Sequence, residues 1–372
     1  MLNQNILLVH LYSNGDSLYA TAVARQIKQD YPNCKLTWAI ASFCKDIIAN
    51  NPFVDDVLEV TNVAKLDIVA YRKFKKQILK EKQQGKWDAV FFTNLIDDNQ
   101  ANYDGCTRAS TFRGYPKNIT VPIQPILNLY SIENEKASIF AAFHQLEKFK
   151  HVILFEFAPQ SGQSQMTLDF AIQIATQLTV NKDVSVILSS ANKINHPSLQ
   201  IIDGSSLSLR ETAALTHYCT FLLGASSGIT WISTSTTGKQ LPMVQLLNAN
   251  TTWSNPISRD FERFNMPTDG LIELIDFDSN IIENCVSAAL VNFAAAKKKY
   301  HQQFPFSFKT TRFIVYNLLT YLQFKSIVKH ILINRKVHGD KMAFYNEVAL
   351  GFLMLPFRLV SNTFRKKVLG RR

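Results

Sequence analysis

Four short stretches combine residue types that can do chemistry with a spacing that suits it. Ser13-Asn14-Gly15-Asp16 follows the apolar run Ile6–Leu11. A carboxylate in such a turn can take the proton of an attacking hydroxyl that lies within hydrogen-bond reach. The same Asp16 can simply cap the helix that follows. Gly224-Ala225-Ser226-Ser227-Gly228 joins another apolar run to a helical stretch. Its small residues let a phosphate approach the backbone, and a helix start offers N–H groups and a favourable dipole. A plain tight turn with a serine cap would read the same, and the stretch is neither a Walker A loop nor GxGxxG. Pro159-Gln160-Ser161-Gly162-Gln163-Ser164 could reach a diphosphate or a sugar, or form a flexible loop. Ser208-Leu209-Arg210-Glu211 fits a capping box, which accounts for Ser208 and Glu211 and leaves Arg210 to a phosphate or to packing.

Other chemistries lack their residues. The histidines form no HExxH pattern and there is no GxSxG; His10, inside an apolar run, reads as a core residue. Five cysteines show no CxxC and no Cys/His ligand spacing, so neither a disulfide framework nor a zinc site is expected, and a reducing compartment fits. Asp55-Asp56 and Asp97-Asp98 read as solvated loop acids, so no metal and no cofactor are expected.

The elements that must carry these turns follow from periodicity. Strands are expected at Ile6–Leu11, Lys35–Ile40, Val57–Val60 and Ala89–Thr93, with helices at Ser17–Asp30, Cys44–Asn50 and Tyr71–Gln84 between them. Residues 100–135 are turn-rich. The alternation then restarts, with strands at His151–Phe157, Val184–Leu188, Thr220–Gly224 and Pro242–Leu247 and helices at Lys136–Lys150, Thr167–Leu178, Leu209–His217 and Ile229–Thr237. Such alternation means parallel βαβ units, and ligands bind at the carboxyl ends of their strands. An α/β chain of two Rossmann-like domains, 1–140 and 141–295, with a cleft between them is the expected architecture. The opening LNQNILLVH lacks a charged n-region and reads as a strand rather than a signal peptide.

Charge is uneven. Residues 296–372 hold 16 Lys and Arg against two acids, Asp340 and Glu347, while the rest carries 24 bases and 27 acids. Residues 311–333 read as one helix with apolar residues on more than one face. No run of 18 uncharged apolar residues occurs, so no spanning helix is expected. Bases interleaved with Phe and Tyr suit an anionic membrane surface. Packing on the body with solvated bases is the plainer alternative, and stacking on single-stranded nucleic acid is the least expected.

Together the turns resemble glycosyltransferase family 9, the bacterial heptosyltransferase-like enzymes. The likeness rests on Ser13–Asp16, Tyr31-Pro32 and Asn51-Pro52-Phe53-Val54-Asp55 in the first half. In the second half it rests on the stretch SLRETAALTHYCTFLLGASSGITWIS from Ser208 to Ser233. It covers roughly 1–60 and 205–247 well, and 61–204 in outline. The resemblance implies a GT-B fold, with the acceptor on the N-terminal domain and the nucleotide sugar on the C-terminal one. It puts Asp16 at the catalytic base, with Ser13, Asn14 and Gly15 on the acceptor side. Ser226, Ser227 and Gly228 fall on the diphosphate turn, with Ser161, Gly162, Gln163 and Arg210 nearby and Asn192 and Leu207 toward the nucleoside. Three departures point to a donor other than ADP-heptose. The family's acid in the turn is Ser226 here, its His is Trp231, and the 159–164 loop lacks the family's Lys. The implied activity is inverting sugar transfer to a glycolipid or oligosaccharide acceptor at the cytoplasmic face of the membrane. The alternative is a degenerate relative that binds sugar nucleotide or membrane without turnover.

Overall fold

A computed structural model describes residues 4–157, 166–248, 256–275, 277–304 and 306–354. The first unit is a parallel sheet of β1 (Asn5–Val9), β2 (Lys35–Ala41), β3 (Asp56–Val60) and β4 (Ala89–Phe92) in the order β3-β2-β1-β4. In register, Ile6 pairs Leu36 on one side and Ala89 on the other. Helices cover both faces of such a sheet, so β1 can be apolar throughout, and Ile6, Leu7, Leu8 and Val9 are fully buried. Around it lie α1 (Asn14–Asp30), α2 (Ile68–Gln83) and α3 (Thr107–Phe112), while α4 (Ser131–Phe143) packs on the helix at 209–215 of the second unit. The helix expected at Cys44–Asn50 is a 3-10 segment at Ser42–Ile48. Residues 100–135, read as turns, contain α3 and the end of a 3-10 segment at Asp97–Asn102.

The second unit is a six-stranded parallel sheet in the order β10-β9-β8-β5-β6-β7. Its strands are β5 (His151–Glu156), β6 (Val184–Ser189), β7 (Ile201–Asp203), β8 (Phe221–Gly224), β9 (Met243–Leu246) and β10 (Leu271–Leu274). The short strands β7 and β10 are additions to the sequence reading. The helices are α5 (Leu168–Leu178), α6 (Leu209–Leu215), α7 (Gly228–Ser233), α8 (Ile257–Arg263), α9 (Ser279–Val291) and α10 (Phe293–Tyr300).

The C-terminal segment does not stay with the second unit. After α10 the chain returns to the first, where α11 (Lys309–Thr320), α12 (Phe324–His338) and a helical stretch at 342–354 pack on residues 101–103. Ile314, Val315, Leu318, Ile327 and Phe344 form a core with Ala101 and Tyr103. Asn334 Nδ2 donates to the Tyr103 carbonyl at 3.0 Å, and His338 Nε2 lies 2.7 Å from the Asp104 carbonyl. The single helix expected over 311–333 is broken. Leu322 adopts a left-handed φ of 55°, and Gln323 donates to Asp97 at 2.7 Å.

Arg210, on α6, is 4 % exposed and joins the two units away from the turns of interest. Its Nε and Nη2 bind both carboxylate oxygens of Glu133 on α4 at 2.5 and 2.8 Å. Its remaining N–H groups donate to the carbonyls of Asp46, Ala49 and Asn128. Removing one partner of a buried network strands the others. Arg210→Ala should therefore lower the unfolding free energy by about 3 kcal/mol, read from urea denaturation.

Candidate active site

Asp16 sits in the first turn of α1, and the turn explains its environment. Ser13 is the N-cap, and its backbone N–H and its hydroxyl (Oγ to Oδ2, 3.4 Å) both bond the Asp16 carboxylate. Asp16 thus ties back to the N-cap Ser13 from the first turn, instead of capping the helix as the plainer reading had it. It also lines a cavity between the two units, with Tyr19, Gly105 and Cys106 on one side and Ser226, Trp231 and Asp260 on the other. Burial pushes its carboxyl up to about 6, against the pull of Lys65 and Ser13. A base that titrates near neutrality and faces a cavity is suited to proton abstraction.

The cavity is about 60 Å³, room for a water or two and not for a sugar ring. The two helix starts abut. A methyl placed on Gly15 would lie 3.4 Å from Trp231 and 4.0 Å from the Gly228 Cα. The Tyr19 and Trp231 rings meet edge to face at 4.8 Å. Beside them Arg108, on α3, is wholly buried. Its guanidinium lies 4.8 Å from Tyr19, 5.2 Å from Trp231 and 5.5 Å from Phe264. It pairs with Asp260 at 3.1 Å, yet Arg108 Nε and Nη2 and Asp260 Oδ2 have no hydrogen-bond partner among the described residues. Burial raises Asp260, although Arg108 and the Cys106 thiol oppose the shift. Burial also pushes the Cys106 thiol well above its ordinary range, which leaves it protonated and unsuited to nucleophilic attack.

The wall formed by residues 102–106 is clamped from several directions. Asp104 accepts from Arg113 at 2.6 Å and pairs with Arg263 of α8 at 2.7 Å. Gly105 has a φ of 90°, and a Cβ there would fall 2.5 Å from the Phe306 ring, so the returning C-terminal chain packs directly behind the cavity.

The Gly224–Gly228 turn is held by two buried polar residues that sequence reading passed over. Ser226 takes a φ of 58°, and its N–H donates to Gln245 on β9 at 2.7 Å. Glu156, at the carboxyl end of β5, accepts from the Ser227 hydroxyl, from the Ile229 N–H at 3.3 Å and from Thr230 Oγ1 at 3.3 Å. Its carboxylate thus occupies donors at the start of α7 that an anion would use. Burial raises the Glu156 carboxyl, and those hydrogen bonds only partly offset it. The available signal was a single acid in the apolar run HVILFEF and a single amide in MVQLL.

The remaining expected residues divide. Ser13, Asn14, Gly15, Asp16, Ser226, Ser227 and Gly228 come together across the interdomain cleft. Asn14 Oδ1 is buried there with no hydrogen-bond partner among the described residues. Arg210 is a correction: it was read as a donor contact, but Glu133 and three carbonyls take up its guanidinium. Asn192 is exposed beyond the end of β6, and Leu207 is half-buried against a core that draws on residues of both units. Ser161, Gly162 and Gln163 lie outside the described residues. His10 is the core residue expected, held 2.9 Å from Thr93 Oγ1 and pushed down to about 3 by burial.

Two outcomes follow from these charges. Asp16 binds its proton more tightly folded than unfolded, so its contribution favours folding below pH 4 and is lost as pH rises through about 6. Asp16→Asn should therefore raise the melting temperature at pH 7.5 and lose that advantage at pH 4; a purely capping aspartate would give a loss at pH 7.5. Glu156→Gln removes a carboxylate from the Gly224–Gly228 turn. Calorimetric titration with nucleoside diphosphates should show at least about tenfold tighter binding than in the unsubstituted chain.

No family model and no curated protein matches the chain. Among solved structures, the fold is similar to a glycosyl transferase family 9 protein from Veillonella parvula. The two are 11% identical, with 77% of this chain and 97% of that chain covered and a TM-score of 0.54. The ADP-heptose LPS heptosyltransferase II of E. coli is 13% identical, over 78% of this chain and 99% of that one, with a TM-score of 0.49. The chain therefore has the GT-B fold, two Rossmann-like domains facing a cleft, in the arrangement seen in a family 9 glycosyltransferase.

Proposed function

We propose that the chain is an inverting glycosyltransferase that moves a sugar from a nucleotide-sugar donor to a glycolipid or lipopolysaccharide-type acceptor. The observation that carries this reading is Asp16, a carboxylate raised toward neutrality in the cleft and set against the Ser226–Gly228 turn. In the proposed reaction the acceptor hydroxyl attacks the anomeric carbon as Asp16 takes its proton. The new C–O bond forms while the bond from that carbon to the diphosphate oxygen breaks. Negative charge then grows on the leaving diphosphate, where the backbone N–H groups of Ser227 and Gly228 would meet it. Asn192 and Leu207 would face the nucleoside, and the 161–163 loop the diphosphate or sugar. A lipid-linked acceptor at the cytoplasmic face of a membrane suits the basic C-terminal segment.

Glu156 favours a second reading, a non-catalytic module, because its carboxylate sits on the turn that the donor needs. Release of nucleoside diphosphate from a donor panel, with a membrane extract as acceptor, separates the two. The transferase reading expects release that falls at least about a hundredfold in Asp16→Ala. It also expects kcat to drop as pH falls below about 6, because the base must be ionised. Absence of release with every donor, or full activity in Asp16→Ala, overturns it.

A further inference from the structure

The outer face of α12 is built for a surface that is both apolar and negatively charged. Phe324, Val328 and Leu332 repeat every four residues, so they form one row along the helix, and they are 57, 56 and 58% exposed. Lys325, Lys329 and Lys336 lie in the adjoining row and are exposed as well. The opposite face, with Ile327, His330 and Asn334, is buried on the first domain, which fixes the direction in which the row points. The neighbouring stretch at 342–354 adds exposed Met342, Leu350, Phe352 and Leu353. Arg72 of α2 stacks on Tyr321 at 3.7 Å just before α12, and α2 carries exposed Lys73, Lys76 and Lys80. The sequence continues through Arg358, Arg365, Lys366, Lys367, Arg371 and Arg372 without an acid. Among the described residues no helix is long and apolar enough to cross a membrane.

We infer that the Phe324–Val328–Leu332 row, with Lys325, Lys329 and Lys336 beside it, is a docking face for an anionic lipid bilayer. The apolar row enters the headgroup layer and the lysines meet lipid phosphates, as in amphipathic helices that lie in a membrane interface. Charge complementarity selects this occupant, since a second copy of the face would oppose lysine to lysine. The inference sharpens the membrane part of the functional proposal and rests on that part. It is read without turnover, so a failure of the transfer chemistry leaves it standing.

The test is flotation of the full chain with phosphatidylcholine vesicles, with and without added phosphatidylglycerol. The chain should float with the anionic vesicles alone. Phe324→Ser, Val328→Ser and Leu332→Ser in one variant should weaken partition about tenfold or more, and so should Lys325→Glu, Lys329→Glu and Lys336→Glu in another. The exposed lysines of the second domain, changed as Lys148→Glu, Lys182→Glu and Lys193→Glu, should leave flotation unchanged. Circular dichroism checks that each variant is folded, which substitutions at exposed positions should preserve. Three results overturn the inference. The chain may fail to float with anionic vesicles. The row variant may float like the parent while Arg365→Glu, Lys366→Glu and Lys367→Glu abolish binding, which would assign the contact to the end segment. Sedimentation may show a dimer that the row variant dissolves, which would make the face a contact between two copies.

Discussion

A wholly buried guanidinium organises the cleft. Arg108 belongs to the first domain, and Asp260, Trp231 and Phe264 around it belong to the second. A charge withdrawn from water costs several kcal/mol, and a pair recovers that cost only with good geometry and full hydrogen bonding. Here the geometry is incomplete, because donors of Arg108 and an oxygen of Asp260 have no hydrogen-bond partner among the described residues. Parting the domains would return water to those atoms. The pair therefore fixes the register of closure more than it strengthens closure. Arg210 is the opposite case, since its N–H groups are bonded to Glu133 and three carbonyls. One arginine is fully bonded between the domains and the other is paired but incompletely bonded.

The same contrast runs through the acids of the cleft. Asp16 lines the cavity and, among the described residues, is bonded only within its own turn, so its carboxylate stays open to accept a proton from a group in the cavity. Glu156 is enclosed and spends its carboxylate on Ser227, Ile229 and Thr230. Gln245 serves the turn without charge. Any diphosphate that reaches this turn must compete with a built-in anion, so occupancy of the turn depends on moving or neutralising Glu156. That requirement makes Glu156 the residue that decides whether an anion can enter the turn.

Local signals made the βα alternation readable, because a parallel strand buried on both faces leaves an apolar run and its turn leaves Gly, Ser or Asp. They also placed Asp16 and Gly228 at the ends that face each other. Arg108 was invisible for a physical reason. Its partner Asp260 is 152 positions away, and its own stretch looks like a polar loop. Arg210 was misassigned because a cation beside a candidate phosphate turn attracts a phosphate role, while its actual partners are carbonyls from distant loops. The break at Leu322 had no marker either, since a leucine in the left-handed region is chosen by tertiary contacts and not by its own propensity.

The basic segment is part of the wall of the cleft as well as an appendage. Some of its aromatic residues turn inward: Phe308 meets Phe344 at 5.5 Å, and Phe306 stacks on His338 at 4.6 Å. Phe306 also fills the space that Gly105 leaves open, and Gly105 lines the cavity. Asn334 and His338 hold the carbonyls of Tyr103 and Asp104 in the same wall. A helix whose inner side shapes the site wall and whose outer side carries an apolar row and lysines connects two locations rigidly. Part of the segment's positive charge, on Lys325, Lys329, Arg335 and Lys336, thus belongs to the same helix that holds the wall of the cavity.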